Sequence, residues 1–425
     1  MSRIGEGKTS YVLRDPLWAE DVEYASDVFM IAAVRGVGNT GIVTTQEGAV
    51  VFDIAARNSG VELIEAIRAK TQVPIHTIIY SHHHGDHAGR TLSLFEDAMK
   101  RGNPRPRVIA HENLPRELDR YKMLAGWRQY AGGMQFLRRG DVPPDKNVLP
   151  LGPEVVYPDI TYSDAMQFKL GGLTFEVYHY KGETNDGTWL WVPERKTAMI
   201  GGLGPGICPN PGSPFKVQRY AAEWIECIER VAGKNPDFVV PGHGRALRGH
   251  KEVQEVCLSI SRYLRSIHNQ VVALMNEGYW LEDIMERVKV PEEVNEKWWL
   301  KPVYGCPAFT IRDIHRRYSG WYDGTPSHLL PSRSADIAAE VVKLGGIAKL
   351  MNRVRELKKE GKVQLALHLA EFAAKGAAPA KRKEALALNA EVLDSRADIE
   401  PNFIAKNILL SAAERAELES KTIRV

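Results

Sequence analysis

Residues 75–89 read IHTIIYSHHHGDHAG, an apolar, β-branched run that gives way abruptly to histidine, aspartate and glycine. The apolar run over residues 75–80 predicts a buried β-strand. The polar residues behind it form the pattern H-x-H-x-D-H, whose ligand-type members are His82, His84, Asp86 and His87. Neutral imidazole and carboxylate groups suit zinc or a similar divalent ion, and the glycines at positions 85 and 89 free the backbone to turn. The stretch therefore predicts a metal-binding loop.

The alternative for this loop is a solvated, histidine-rich turn that binds nothing. Its place directly after a buried strand favours metal binding, because the strand holds the loop rigidly where several side chains can converge. His83 lies between ligand positions, and we expect its side chain to point away from the metal.

The chain as a whole has the composition of an ordinary globular protein, with 425 residues, 44% hydrophobic and 26% charged. This length allows two domains. A formal net charge of +3 and the lack of a basic, aromatic-rich block argue against a nucleic-acid partner. The N-terminal residues contain no apolar leader and no apolar run is long enough to span a bilayer, so we expect a cytoplasmic protein without a membrane partner. The four cysteines are widely spaced and are expected to be free, mostly buried thiols.

Strand patterns surround the metal-binding loop. Residues 27–53 predict short antiparallel strands, residues 59–71 a helix capped by Ser59, and the chain from residue 172 a second β half with Gly/Asn/Asp turns. FVVPGHG at residues 238–244 predicts a strand that ends in His243. This histidine either binds metal or occupies a structural turn, and the presence of the first motif favours metal binding.

Helical patterns dominate after residue 250. An apolar stripe from Val253 to Leu274 predicts a long helix, and residues 301–331 predict an irregular connector around one helix. From Ser334 onward small residues face one another on successive helices, a pattern that favours packing or association over chemistry. We therefore divide the chain into residues 1–250, a catalytic domain, and residues 251–425, a helical domain.

These motifs resemble the metallo-β-lactamase fold, an αββα sandwich with metals at one edge, so the predicted class is an α/β sandwich followed by an all-α domain. YGCPAFTIRDIHRRYSGWYDGTPSHL at residues 304–329 and the helices behind it are similar to the dimerisation domain of bacterial alkylsulfatases, which implies a homodimer. The resemblance implies that His82 and His84 bind a first metal ion, and that Asp86, His87 and His243 bind a second. The histidine that usually completes the first site is replaced by Glu183 in the turn Gly182-Glu183-Thr184, as in alkylsulfatases.

Two features depart from that family. Where the superfamily has a carboxylate that bridges both metals, this chain has Gly201 and Gly202, so one or two ions are expected, with Asp186 a possible substitute for the bridge. The chain also ends where long alkylsulfatases continue into a lipid-carrier-like domain, which makes a long-chain surfactant substrate less expected.

The predicted function is hydrolysis of a small-molecule substrate by a metal-bound hydroxide, with sulfate esters as the leading substrates. Asp86 is the predicted catalytic residue, as a metal ligand, a proton acceptor or both. Because Glu183 is anionic, we expect an alkaline activity optimum. The arginines considered for the sulfate oxygens are Arg128, Arg138, Arg139, Arg219 and Arg245. The alternatives are hydrolysis of another activated C–O bond (ester, lactone or aryl ether) and a metal-binding interaction scaffold without catalysis.

Overall fold

The structure is a computed structural model that describes residues 19–32, 38–54, 60–136, 155–204 and 208–423. It divides into two compact units, Met1–Arg128 with Lys146–Trp321, and Gln129–Asp145 with Tyr322–Val425. The first unit thus extends beyond residue 250, while the functional division predicted there stays a prediction. The predicted helix cap Ser59 and the arginines at 138 and 139 lie outside the described residues.

The first sheet of the first unit contains, in the described ranges, seven strands in the order β1 to β7. The strands are β1 (Val22–Ala25), β2 (Val28–Ile31), β3 (Thr40–Thr45), β4 (Gly48–Phe52), β5 (Ile75–Ile79), β6 (Arg107–His111) and β7 (Ile160–Tyr162). Strands β1 to β4 pair antiparallel, and β4 to β7 pair parallel. Parallel pairing places the C-terminal ends of β4 and β5 at the same edge of the sheet, and both strands continue there into polar loops.

Helices lie beside this sheet and in the loops that follow it. They are α1 (Gly60–Lys70), α2 (Gly85–Ala88), α3 (Thr91–Lys100) and α4 (Leu114–Met123). The next helix, α5 (Ala125–Phe136), begins in the first unit and from Gln129 belongs to the second. Leu63 and Ile67 of α1 and Leu94 of α3 are fully buried in one apolar cluster with Ile42 and Ile78 of the sheet. The apolar spacing that predicted α1 therefore marks the face that packs on the sheet.

The second sheet has the order β13-β12-β11-β10-β9-β8 within the described residues. Its strands are β8 (Ala165–Leu170), β9 (Leu173–Tyr180), β10 (Gly187–Val192), β11 (Thr197–Gly201), β12 (Phe238–Pro241) and β13 (Leu247–Arg248). Its pairings are antiparallel except β11 with β12. On its outer face lie α6 (Ala221–Gly233) and α7 (His250–Asn276), whose apolar stripes share a cluster with the sheet.

The two sheets pack face to face. Val43 and Val50 of the first sheet are buried in one cluster with Phe175 and Leu190 of the second. Helix, sheet, sheet and helix thus form successive layers, which confirms the predicted αββα sandwich. The first unit continues through α8 (Leu281–Arg287), α9 (Glu293–Glu296) and α10 (Pro307–Ser319), the one helix predicted in the connector.

The second unit is helical. Its helices beyond the connector are α11 (Ser334–Gly345), α12 (Ile347–Lys359), α13 (Val363–Gly376), α14 (Pro379–Asp398) and α15 (Phe403–Thr422). Alanines such as Ala366, Ala370 and Ala385 are fully buried in its core, so the helices approach closely, as the small-residue faces predicted. Within the described ranges, no helix combines the length and apolar character that crossing a bilayer requires.

Candidate metal centre

The loop after β5 turns into a helix of one turn. α2 begins after His84 and carries Asp86 and His87, and it ends at Gly89, where an added Cβ would lie 2.2 Å from the carbonyl oxygen of Gly85. Only glycine fits this close approach. The sequence predicted the turn but not the short helix, which sets Asp86 and His87 side by side.

The first donor group consists of His82, His84 and Glu183, whose candidate ligand atoms all lie within 4.8 Å of one another. His82 Nε2 is 2.8 Å from His84 Nδ1. Glu183 Oε2 lies 3.9 Å from His82 Nε2, and its Oε1 lies 4.0 Å from His84 Nδ1. The turn between β9 and β10 therefore brings Glu183 opposite the histidine loop of the other sheet.

The second donor group consists of Asp86, His87 and His243. Asp86 Oδ2 is 3.5 Å from Nε2 of each histidine, and the two Nε2 atoms are 3.2 Å apart. The rings of His82 and His87 have centroids 4.3 Å apart, so the two groups adjoin. The structure thus brings together all six residues that the sequence proposed as ligands, in the two sets of three implied by the family resemblance.

Two further residues fix the orientation of the histidine rings. Ser81 Oγ lies 2.9 Å from His82 Nδ1, and Asp53 Oδ2 lies 2.8 Å from His87 Nδ1. Asp53 Oδ1 also accepts the main-chain N–H of Ser81 at 2.6 Å. Contacts of this kind leave the opposite Nε2 atoms free to bind a metal ion. The sequence analysis missed Asp53, although its place as the first polar residue after the apolar strand β4 was a usable signal.

His83 points away from both donor groups, as predicted. Its Nδ1 lies 2.9 Å from Asp186 Oδ1, and its main-chain N–H donates to Asp186 Oδ2 at 2.9 Å. Asp186 is fully buried and uses both oxygens on His83. This position argues against Asp186 as a substitute for the bridging carboxylate.

Gly202 lies where the family resemblance calls for a bridging side chain. A Cβ at Gly202 would be 2.9 Å from Glu183 Oε2 and 3.4 Å from both His82 Cε1 and the Tyr180 hydroxyl. Among the described residues the two donor groups share no side chain. The glycine therefore leaves Oε2 of Glu183 uncrowded while each group keeps three donors of its own.

Electrostatics differ between the groups. Burial, followed by the charge of His87, lowers the pKa of His82 to about 4. Burial would also lower the pKa of His87, but Asp86 and Asp53 outweigh it and raise that pKa to about 9. Burial would raise the pKa of Asp86, yet His87 and His243 hold it at about 2. The carboxylates of Asp86 and Asp53 thus favour a positive charge at the second donor group. Its nitrogen and oxygen donors fit a divalent metal ion.

Basic side chains line one side of the first group. Arg219, only 1% exposed, places Nη1 2.8 Å from Glu183 Oε1. The Lys216 ammonium interacts electrostatically with Glu183 and Asp86; burial, then repulsion from Arg219 and Arg128, lowers its pKa to about 8. The sequence analysis missed Lys216, because a single lysine in an irregular segment carries no motif.

The other candidate arginines are placed differently. Arg245 binds Glu252 at 2.6 Å at the surface and stacks on Trp298. Arg128 stacks on the ring of Tyr121, and its buried Nε has no hydrogen-bond partner among the described residues.

Two parts of the chain match known protein families. Residues 33–243 match the metallo-beta-lactamase superfamily, and residues 281–419 match the alkyl sulfatase dimerisation family. The chain therefore contains a metallo-β-lactamase domain followed by an alkylsulfatase-type dimerisation domain. This superfamily binds divalent metals, and the ligand atoms of the two donor groups lie close enough together to hold such ions.

Two curated alkylsulfatases of the superfamily are similar over most of this chain. A linear primary-alkylsulfatase of Pseudomonas sp. is 25% identical over 78% of this chain and 65% of its own length. An (R)-specific secondary-alkylsulfatase of Pseudomonas sp. is 24% identical over 89% of this chain and 60% of its own length. The chain therefore spans less than two thirds of the length of each of these relatives.

A solved structure shares the fold. The stereoselective inverting sec-alkylsulfatase Pisa1 from Pseudomonas sp. superposes with a TM-score of 0.80 at 21% identity, over 94% of this chain and 66% of that chain. At this identity the likeness supports the metallo-β-lactamase sandwich and the helices behind it, and nothing finer.

Proposed function

We propose that this protein is a metal-dependent hydrolase with sulfate esters as its leading substrates. The observation that carries the proposal is the pair of adjoining donor groups, each with three nitrogen or oxygen donors. Lys216, whose ammonium interacts electrostatically with Glu183 and Asp86, supports an anionic substrate. The similarity to a primary and a secondary alkylsulfatase agrees with this substrate class.

The proposed cofactor is zinc. Three protein ligands with one position open for water are typical of catalytic zinc, and imidazole with carboxylate suits that ion. In the proposed centre His82, His84 and Glu183 hold one ion, and Asp86, His87 and His243 hold a second. A bound zinc ion supplies Lewis acidity, which makes water a nucleophile near neutral pH and polarises the bond under attack.

The protein's own residues would orient and balance this centre. Ser81 and Asp53 fix the rings of His82 and His87 through their Nδ1 atoms. With its pKa at about 2, Asp86 stays an anion and is a better ligand than proton acceptor at neutral pH. We therefore assign Asp86 to metal binding first, and its role as a general base stays a prediction.

Lys216 is the proposed contact for the sulfate group. Its ammonium interacts electrostatically with Glu183 of the first donor group and with Asp86 of the second donor group. A cation near the charge that develops on a sulfate oxygen stabilises the transition state. Lys216→Ala should raise the barrier for sulfate-ester hydrolysis by about 2–4 kcal/mol.

A second candidate, hydrolysis of a neutral ester, lactone or aryl ether, follows from the placement of the arginines. Arg219 is paired with Glu183 and Arg245 with Glu252, so two cations considered for sulfate already have carboxylate partners. A neutral substrate needs fewer cationic contacts than a sulfate ester.

A substrate panel tests these functions. Zinc-loaded protein is assayed against sulfate esters and matched carboxylate esters, lactones and aryl ethers, with Lys216→Ala and the control Lys234→Ala, a lysine bound to Glu176 on the second sheet. We expect turnover of sulfate esters that Lys216→Ala reduces and Lys234→Ala leaves unchanged. Turnover of the neutral substrates alone would transfer the assignment to the second candidate. Bound zinc without turnover of any of them would favour the interaction scaffold.

We further propose a homodimer. The match of residues 281–419 to the alkyl sulfatase dimerisation family supports it. Sedimentation at micromolar concentration should give twice the chain mass of 47.5 kDa. A monomer under those conditions would contradict the proposal.

A further inference from the structure

Arg219 is among the largest fully buried side chains of the described residues and lies against a candidate metal ligand. Besides its contact with Glu183 Oε1, its Nη1 donates to the carbonyl oxygen of Asn210 at 2.6 Å. A buried arginine needs a compensating anion, and a buried carboxylate needs a compensating cation. Arg219 and Glu183 meet both needs before any metal ion binds.

The segment around Arg219 is anchored on both sides. Gln218 donates through Nε2 to Asp313 Oδ2 at 2.9 Å, and the main-chain N–H of Tyr220 donates to the carbonyl oxygen of Gly182 at 3.0 Å. Gly182 directly precedes Glu183 in the turn. The anchored segment therefore holds the Arg219 guanidinium against the Glu183 carboxylate.

The two oxygens of Glu183 have different neighbours. Oε1 faces Arg219, whereas Oε2 faces His82 Nε2 and the uncrowded position at Gly202. Arg219 therefore leaves Oε2 available to a metal ion while its charge acts on the same carboxylate. Burial would raise the pKa of Glu183, but Arg219 and then His82 hold it below its ordinary value.

We propose that Arg219 is a positioning residue that compensates the charge of Glu183, so that the first donor group binds its metal ion more weakly, but leaves that ion more Lewis-acidic, than Glu183 alone would. The inference rests on the proposed metal binding at this group. A guanidinium and a divalent ion that share one buried carboxylate repel each other. A carboxylate already bound to a guanidinium also donates less charge to the metal, so the group approaches a three-histidine site in total charge.

The test measures zinc affinity and stability without reference to turnover. Arg219→Met removes the charge with little change in length, so zinc should bind the first group roughly tenfold more tightly. The metal-free variant should unfold at a lower temperature than the metal-free wild type, because Glu183 is left buried without a cation, and zinc should raise its melting temperature by more than it raises that of the wild type. Removal of a purely structural arginine would weaken zinc binding instead.

Three further variants keep the result interpretable. Arg219→Lys retains the charge and should bind zinc like the wild type. Arg219→Met combined with Glu183→Gln removes both charges and should lose the tighter binding, even where Arg219→Met alone folds poorly. The matched control is Arg68→Met, which breaks the buried pair of Arg68 with Asp97, away from both donor groups. It should lower the melting temperature and leave zinc affinity unchanged.

Distinct outcomes separate this inference from the proposed function. Zinc binding by the wild type together with weaker binding by Arg219→Met would overturn the role of Arg219 while leaving the metal centre intact. Unchanged zinc affinity in Arg219→Met with a raised KM for sulfate esters would make Arg219 a substrate contact and also overturn the inference. Failure of the wild type to bind zinc would remove the proposed function itself and, with it, the role inferred for Arg219.

Discussion

Among the described residues of the first unit, histidines come together in two regions, and one of the two has the geometry of a metal centre. In the second donor group, Nε2 atoms of His87 and His243 face each other across 3.2 Å and converge on Asp86. In the other region, His111 and His179 stack with ring centroids 3.6 Å apart and planes 15° apart. Proximity of imidazoles is common to both regions, so it does not by itself mark a metal site.

The difference lies in what the ring nitrogens bind. His111 Nδ1 accepts the main-chain N–H of Asn113 at 3.1 Å, and the ring also contacts the main chain of Ser163. His179 Nδ1 donates to the carbonyl oxygen of Gly187 at 3.0 Å. These contacts bind both rings to the backbone, and among the described residues no third donor joins the pair, whereas each donor group has three.

The largest expected effect comes from removing a donor. His87→Ala should lose a metal ion and lower turnover by about 10³-fold or more, because the metal supplies several kcal/mol of transition-state stabilisation. His179→Ala is the matched variant in the stacked region and should keep the full metal content. Metal analysis and turnover assays of both variants test this difference between the two regions. Loss of metal from His179→Ala, with full metal content in His87→Ala, would contradict it.

Glu183→Gln should have the next largest effect. The amide keeps the shape of the side chain but removes the anion, so metal content should fall and turnover should drop by about 10²-fold. Full metal occupancy at the full rate would remove Glu183 from the centre. The alkaline optimum expected from an anionic ligand should also be less pronounced than Glu183 alone predicts, since Arg219 offsets that charge.

A smaller effect is expected from Asp53, which orients His87 without belonging to the donor group. Asp53→Asn should weaken metal binding by about 10- to 100-fold, the usual cost of losing such a partner. Asn tolerates the backbone angle φ of 58° at this position, so the variant should keep its fold. Zinc titration measures the change, and wild-type affinity in Asp53→Asn would show that His87 needs no fixed orientation.

The sequence predicted the features that local patterns encode. The strand before His82, the strand before His243 and the helix spacing of α1 all follow from runs of apolar residues, and the structure has each of them. Glu183 followed from a turn motif known from the family. Each of these signals lies within a few consecutive residues.

Features that depend on distant residues could not be predicted in this way. Arg219 was considered as a sulfate contact, and its pairing with Glu183 was missed. Nothing in the segment around Arg219 shows that the fold brings it to Glu183, which lies in a turn of the second sheet. Asp53 and Ser81 meet only when β4 and β5 pair in parallel. The compact unit extends to Trp321 because α7 and α10 share one apolar cluster with the second sheet, a contact that helix periodicity alone does not reveal.

The smallest expected effect concerns the stacked pair and is a matter of stability. Burial, followed by the charge of His179, lowers the pKa of His111 from the ordinary value of 6.5 to about 4. Above pH 6.5 His111 is neutral in both folded and unfolded chains and contributes no pH dependence. Between pH 6.5 and about 4 only the unfolded chain binds the proton, so the free energy of unfolding falls as the pH falls, and below pH 4 this loss is complete.

His111→Gln removes this titration while keeping a side chain that can bind the main chain. We expect the wild type to lose about 1–2 kcal/mol more stability than the variant between pH 6.5 and 4, because partial opening of the stack relieves some of the full pKa difference. Denaturant unfolding of metal-free protein at both pH values measures the loss, and the absence of metal keeps the donor groups in the same state in both chains. Equal losses in the two proteins would mean that the stacked pair carries no acid sensitivity. Unchanged zinc affinity of His111→Gln at pH 7 is the companion result, since a ring whose nitrogens bind the backbone contributes nothing to a metal ion.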